Sequence, residues 1–231
     1  MSRAYYNHRY SDDLDFFVNS DDNYQQYVAL TLSRLKENGY NWGGNEGIVS
    51  SNTFTTLKVR KGTNDTSLKL DFVNDYAVRF DDVVETKLYY RTDSVRNIIS
   101  NKLSAVFRFS PKDVADIREI AIRGKIDWNQ SITEARQKEG GIELTYIADI
   151  MRGIPKTEFE KIIWTKPQEW EEFQKDIECI VYDMISCTSQ LEKPHTISST
   201  KAEYLKIINE AAADCKSNGD KPKRNLNRDE R

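Results

Sequence analysis

Ser11-Asp12-Asp13-Leu14-Asp15-Phe16-Phe17-Val18 is the stretch on which the reading of the whole chain turns. In an extended segment successive side chains point to opposite faces, so Asp13, Asp15 and Phe17 share one side and Leu14, Phe16 and Val18 the other. Two carboxylates above an apolar back can hold a divalent cation through oxygen alone, the ligand type that suits magnesium. The same spacing also describes a strand that begins in a solvated acidic turn. The residues by themselves leave both readings open.

Composition narrows the setting. The chain has 231 residues, 38% of them apolar and 31% charged, with a mean hydropathy of -0.71. It is long enough for one large domain or two small ones around a real core. No apolar run approaches the roughly 20 residues that span a bilayer, and the N-terminus lacks the basic-then-apolar layout of a secretion signal. The expectation is a cytoplasmic protein with no membrane partner. A net charge of -3 argues against bulk nucleic-acid affinity and leaves only local patches. Lys58, Arg60 and Lys61 make one such patch and Lys221-Pro222-Lys223-Arg224 another, and a solvated edge or end explains each as simply. Cys179, Cys187 and Cys215 have no metal-ligand spacing, and His8 and His195 are too few for a zinc site.

Outward from the acidic stretch, Asp21 and Asp22 precede Tyr24, Tyr27, Val28, Leu30, Leu32 and Leu35, the stripe of an Asp-capped amphipathic helix that Gly39 would end. Asn41-Trp42-Gly43-Gly44-Asn45 reads as a turn. Strands follow over Ile48 to Thr56, Leu57 to Arg60 and Ser67 to Val73, with a turn at 61–65. In the last of these Leu68, Leu70 and Phe72 face one way and Lys69 and Asp71 the other. Asp71 is therefore either a third functional carboxylate or an exposed partner of Lys69.

A second informative stretch opens at Asp93 or Ser94, either of which can cap a helix through Val95, Ile98, Ile99, Leu103, Val106 and Phe107. Lys102 falls on or beside the apolar stripe. A charge there needs an outlet, either snorkelling to the helix edge or an anion in a cleft. Ser110-Pro111-Lys112-Asp113 then starts another helix with the pattern of a capping box, which offers Asp113 a purely local task. Helical patterns continue through 127–151, from Pro167 to about Ser186, and from Thr200 to Ala213.

Several of these strings together resemble the AbiEii/AbiGii toxin branch of the nucleotidyltransferase superfamily. Arg9, Ser11, Asp13, Leu14, Asp15 and Phe16 fit its Arg-x-Ser-x-Asp-Leu-Asp-Phe motif. Lys69-Leu70-Asp71-Phe72 is similar to the strand that bears its third acid, and Asn97 to Ala105 to the helix ending in Lys-Leu-x-Ala. Lys112-Asp113-Val114-Ala115-Asp116 resembles its basic residue-Asp-x-x-Asp signature. The resemblance covers most of residues 7 to 125. It implies an α+β fold, with a nucleotidyltransferase-like palm built on a mixed sheet at about 1–90 and a helical region at 91–215; the polar, basic composition after Cys215 predicts a disordered tail at 216–231.

The resemblance also implies a site. Asp13, Asp15 and Asp71 would bind two magnesium ions; Arg9, Ser11 and Lys102 would contact a nucleoside triphosphate; Asp113 would position it, and Asp116 would count for less. The implied partners are an acceptor such as tRNA and an antitoxin. The chain departs from the family at one place: the Gly-Gly-Ser/Thr element that contacts the triphosphate is not found ahead of Asp13, where Met1-Ser2-Arg3-Ala4-Tyr5-Tyr6 stand. That departure frames the alternative of a catalytically inactive nucleotidyltransferase-like binding protein.

Overall fold

A computed structural model describes residues 2–11, 13–43, 47–62 and 66–189. The expected Thr200–Ala213 helix and the tail lie outside the described residues. Strand β1 (Asp13–Asn19) leads into α1 (Tyr24–Glu37), and then come β2 (Tyr40–Asn41), β3 (Val49–Ser50), β4 (Phe54–Lys61) and β5 (Ser67–Asp75). The strands form one mixed sheet in the order β1-β5-β4-β2, with β3 also on β4. β1 runs parallel to β5, and the other pairings are antiparallel.

The two faces of this sheet have different fates. One is covered by α1, where Tyr24 and Val28 bury against Leu57, Val59, Leu70 and Phe72, with Leu14, Val18, Leu32 and Leu35 at the margin. Each of these aliphatic groups contributes roughly 1.5–3 kcal/mol when fully buried. The Tyr24 hydroxyl is satisfied in that layer by Thr55 Oγ1 at 3.1 Å and the Phe72 carbonyl at 3.0 Å. The register sends the odd positions of β1 and β5, together with Thr56, Lys58 and Arg60 of β4, to the opposite face.

The second layer is helical: α2 (Val95–Ala105), α3 (Pro111–Arg123), α4 (Trp128–Lys138), α5 (Leu144–Arg152), the one-turn α6 (Lys156–Phe159) and α7 (Trp170–Ser189). Leu103, Val106, Val114, Ile117, Ile120, Ile132, Ile147 and Met184 form its fully buried centre. Ser94 caps α2 by accepting from the Asn97 amide at 3.0 Å, and Asp127 caps α4 in the same way through Gln130 at 3.0 Å. Trp164, Trp170 and Phe173 pack on Phe159 in tilted ring contacts inside this layer, so these aromatics serve the core.

Residues ahead of β1 are built onto the helical layer. Tyr5 and Tyr6 pack against its core, the Tyr10 amide donates to Ile163 O at 2.8 Å, and the Thr165 amide donates to His8 O at 3.0 Å. β1 thus leaves the helices and enters the sheet within a few residues. Its acids stand where the two layers meet.

Several local expectations need correction. Phe16 was expected in the core but is 42% exposed, because β1 is the edge of the sheet; its ring stacks on Phe72 at 5.1 Å. Leu30 and Tyr27 point to solvent, since α1 covers the sheet with a narrower stripe than its apolar residues suggest. Asn23, not Asp21 or Asp22, flanks α1, and Asp21 Oδ1 accepts from the Asn23 amide at 2.8 Å. The strand expected over Ile48 to Thr56 is interrupted where the Ser51 amide turns back to Phe54 O at 2.7 Å.

Candidate active site

Parallel pairing sets Asp15 directly opposite Asp71, and Asp13 opposite Lys69. Acids from two strands therefore meet on the open face of the sheet. Partial burial raises the Asp15 carboxyl above its ordinary range, and the charges of Asp13 and Asp71 raise it further against the opposing pull of Lys102 and Lys69. Asp13 goes the other way: burial works to raise it, but the Ser11 hydroxyl, donating at 2.6 Å, and the charges of Lys112, Arg9 and Lys69 hold it low. Asp71 is engaged twice, by Thr56 Oγ1 at 2.6 Å and by Lys69 Nζ at 2.5 Å. The pairing with Lys69 and the convergence with Asp15 hold together.

The donor set fits a hard divalent cation, being all carboxylate oxygen, and a cation there would relieve the crowding around Asp15. As the side chains stand, no group of three His, Cys, Asp or Glu among the described residues closes into a metal cage. Lys69 supplies the positive charge at Asp71 instead.

Across from the strands lies a second cluster, built by α2, α3 and the N-terminal segment. Lys102 Nζ contacts Asp113 Oδ1 at 2.6 Å and Asp116 Oδ2 at 2.8 Å. Burial opposes its charge, but Asp116 and Asp113 more than restore it, so the ammonium is held above its ordinary range. Asp116 has no exposed side-chain surface. Burial penalises its charge, and His8 Nε2 at 2.9 Å, Lys102 and Arg9 reverse that penalty and leave it far below the usual carboxylate range. Arg9 binds it at two points, Nε to Oδ1 and Nη2 to Oδ2, both at 2.8 Å.

The sequence-derived residues are sorted by this geometry. Asp13, Asp15 and Asp71 share the sheet face, Ser11 is bonded to Asp13, and Lys102 is near enough for its charge to act on Asp15. Asp113 does not make the capping box, because its carboxylate turns to Lys102 and Ser110 makes no side-chain cap. Arg9 is buried and bound to Asp116 and to Tyr10 O at 3.1 Å, so it stands in the ion-pair cluster of the helical side. Asp116, ranked below Asp113 from the sequence, is the centre of the cluster. Its i+3 spacing from Asp113 was the available signal, since both fall on one helix face. The charge of Lys112 also acts on Asp13 and lowers it.

No helix among the described residues is long and apolar enough to cross a membrane. The sequence matches the family described as nucleotidyl transferase AbiEii toxin, type IV toxin-antitoxin system, over residues 1–179. No curated protein matches it. Among solved structures it is similar to JHP933 from Helicobacter pylori, at 16% identity and a TM-score of 0.54, covering 90% of this chain and 85% of that one. A second Helicobacter pylori structure, described as a candidate nucleotidyltransferase, aligns at 18% identity and a TM-score of 0.53, covering 83% and 85%. MenT4, a nucleotidyltransferase toxin from Mycobacterium tuberculosis H37Rv, aligns at 14% identity and a TM-score of 0.48, covering 91% and 80%.

Proposed function

The chain belongs to the nucleotidyl transferase AbiEii toxin family, and from that premise we propose that it transfers a nucleotide from a nucleoside triphosphate to a nucleic-acid acceptor, tRNA foremost, at Asp13, Asp15 and Asp71. An antitoxin protein would be its natural counterpart. The observation that carries this reading is the Asp15–Asp71 pairing on neighbouring strands, with the charge of Lys102 acting on Asp15 from the helical side.

Nucleotidyl transfer asks the protein to align the attacking hydroxyl, the α-phosphorus and the leaving pyrophosphate, and to neutralise developing charge. Asp13, Asp15 and Asp71 would hold magnesium, two ions by the family pattern. Bound there, magnesium supplies charge neutralisation at the phosphate and acidifies the attacking hydroxyl. Asp71, on β5 beside β1, would accept the hydrogen bond of the acceptor hydroxyl and orient it. Ser11 fixes the Asp13 carboxylate by its 2.6 Å bond.

On the helical side Lys102 would take a phosphate oxygen. Two of its three N–H donors go to Asp113 and Asp116, and the third would reach the triphosphate. Lys112 would add charge to the same side. Asp113 and Asp116 are positioning residues that aim the Lys102 ammonium. Arg9 and His8 act one step further back, holding Asp116 ionised.

The test is incorporation of labelled nucleotide from each of the four nucleoside triphosphates into total RNA, with and without magnesium. Metal-dependent labelling that vanishes in Asp13→Ala/Asp15→Ala is the expected result. Absent labelling, together with calorimetric nucleotide binding that is nil or indifferent to that substitution, would overturn it in favour of an inactive binding protein.

A further inference from the structure

The open face of the sheet does not end at the acids. Pairing of β4 with β5 sets Thr56 opposite Asp71 and Lys58 opposite Lys69, and pairing of β2 with β4 sets Asn41 opposite Arg60. Lys58 and Arg60, two residues apart, therefore share the face of the carboxylates and are both exposed. They line a shallow pocket together with Asn41, Trp42 and Gly43. Trp42 is partly buried against the α1-facing core and also lines the pocket.

From the proposed transfer reading and this layout, we infer that the β4–β2 end of the sheet is the acceptor-strand track, on which the single-stranded 3′ end of an RNA lies with its backbone on Lys58 and Arg60 and a base against Trp42. The cations of the helical side, Lys102 and Lys112, act on β1, the strand at the opposite edge of the sheet. With the triphosphate on that side, the acceptor reaches Asp71 from β4. Thr56 to Arg60 is four steps of strand, about 13 Å at ~3.3 Å per residue. That length matches about four stacked nucleotides at ~3.4 Å each.

The chemistry of the pocket fits such a strand. Two cations at alternate strand positions, about 6.6 Å apart, suit phosphates along one backbone, and an indole offers a stacking face to any base. Asn41 donates its amide nitrogen to Gly62 O at 3.1 Å and keeps its amide oxygen as an acceptor suited to a ribose 2′-hydroxyl. The chain as a whole carries a charge of -3, so this local stripe, not bulk basicity, would draw the polyanion.

Binding of a fluorescent single-stranded RNA oligonucleotide, followed by anisotropy over a salt series, tests the track. Lys58→Ala/Arg60→Ala should weaken binding at least tenfold and reduce the slope of log affinity against log salt by about 1.4, two single-strand phosphate contacts. Affinity for nucleoside triphosphate should not change. Trp42 emission, taken as the difference between wild type and Trp42→Phe, should be quenched by RNA. The track is overturned if the wild type does not bind RNA, if the double variant binds as tightly, or if DNA of the same sequence binds equally well. It is also overturned if the double variant loses triphosphate affinity, which would make the stripe a donor site. Labelling activity is read separately on the same proteins: transfer without an effect of the double variant sinks the track alone, and RNA binding that depends on the stripe without any transfer sinks the activity alone.

Discussion

Arg9 and Asp116, 107 residues apart in the chain, meet as a buried two-point ion pair with both N···O distances at 2.8 Å. The pair ties the segment ahead of β1 to α3, and through Asp116 to Lys102. Strand and helix are thus registered on each other by charge as well as by packing. The arrangement balances two carboxylates, Asp113 and Asp116, against Lys102 and Arg9 in a region nearly closed to water.

Asp116→Asn should be strongly destabilising, by about 3–5 kcal/mol, because Arg9 and Lys102 then face a neutral amide in a buried setting. Urea unfolding followed by circular dichroism measures this. The Asp116 carboxyl is depressed on folding, so its contribution is present above the unfolded value near 3.8 and is lost as pH falls below it toward the folded value. The wild type should lose stability on that acid limb, and Asp116→Asn should show a shallower loss.

Asp15→Asn should have opposite effects on activity and stability. Its carboxyl is raised by partial burial and by Asp13 and Asp71. The penalty is absent below the unfolded value near 3.8, and it grows as pH rises through the raised folded value. Without metal at neutral pH the variant should melt about 1–2 °C higher than wild type, the scale of a solvent-screened charge pair in a chain of this length. Magnesium or manganese should raise the melting temperature of the wild type and not of the variant. Transfer should be abolished.

Lys69→Met removes the cation that sits 2.5 Å from Asp71 Oδ2. Calorimetric titration with manganese should show metal affinity rising several-fold, since a divalent ion no longer competes with the ammonium for that oxygen. An unchanged affinity would mean that Asp71 is not part of the metal site.

Tyr24→Phe examines the sheet apart from its chemistry. The hydroxyl bonds to Thr55 and to the Phe72 carbonyl on the face away from the acids. Its loss should cost about 1 kcal/mol, lowering the melting temperature by about 2–4 °C, with kcat and KM for transfer unaltered.

Much of this was legible in short spans of sequence. The alternation of Asp13-Leu14-Asp15 and of Lys69-Leu70-Asp71 sorts charge from apolar side chains before any partner is known, because successive strand side chains alternate faces. The stripe from Ile98 to Val106 likewise predicts a helix and sets Lys102 at its edge. Asp113 was ambiguous, since a cap acceptor and an ion-pair partner look alike in sequence. Phe16 was misjudged because nothing local reveals that its strand is the edge of the sheet.

By itself the sequence determined which residues share a face, where most helices begin and which family's motifs the chain carries, all consequences of backbone periodicity within a few residues. Only the tertiary structure decided that Arg9 pairs with Asp116, that Asp116 gathers Arg9, His8 and Lys102 around one carboxylate, and that residues of the 2–10 segment pack against parts of the helical layer far along the chain. A buried charge must find its counter-charge wherever folding brings one, and that choice depends on contacts between distant segments that no local pattern encodes.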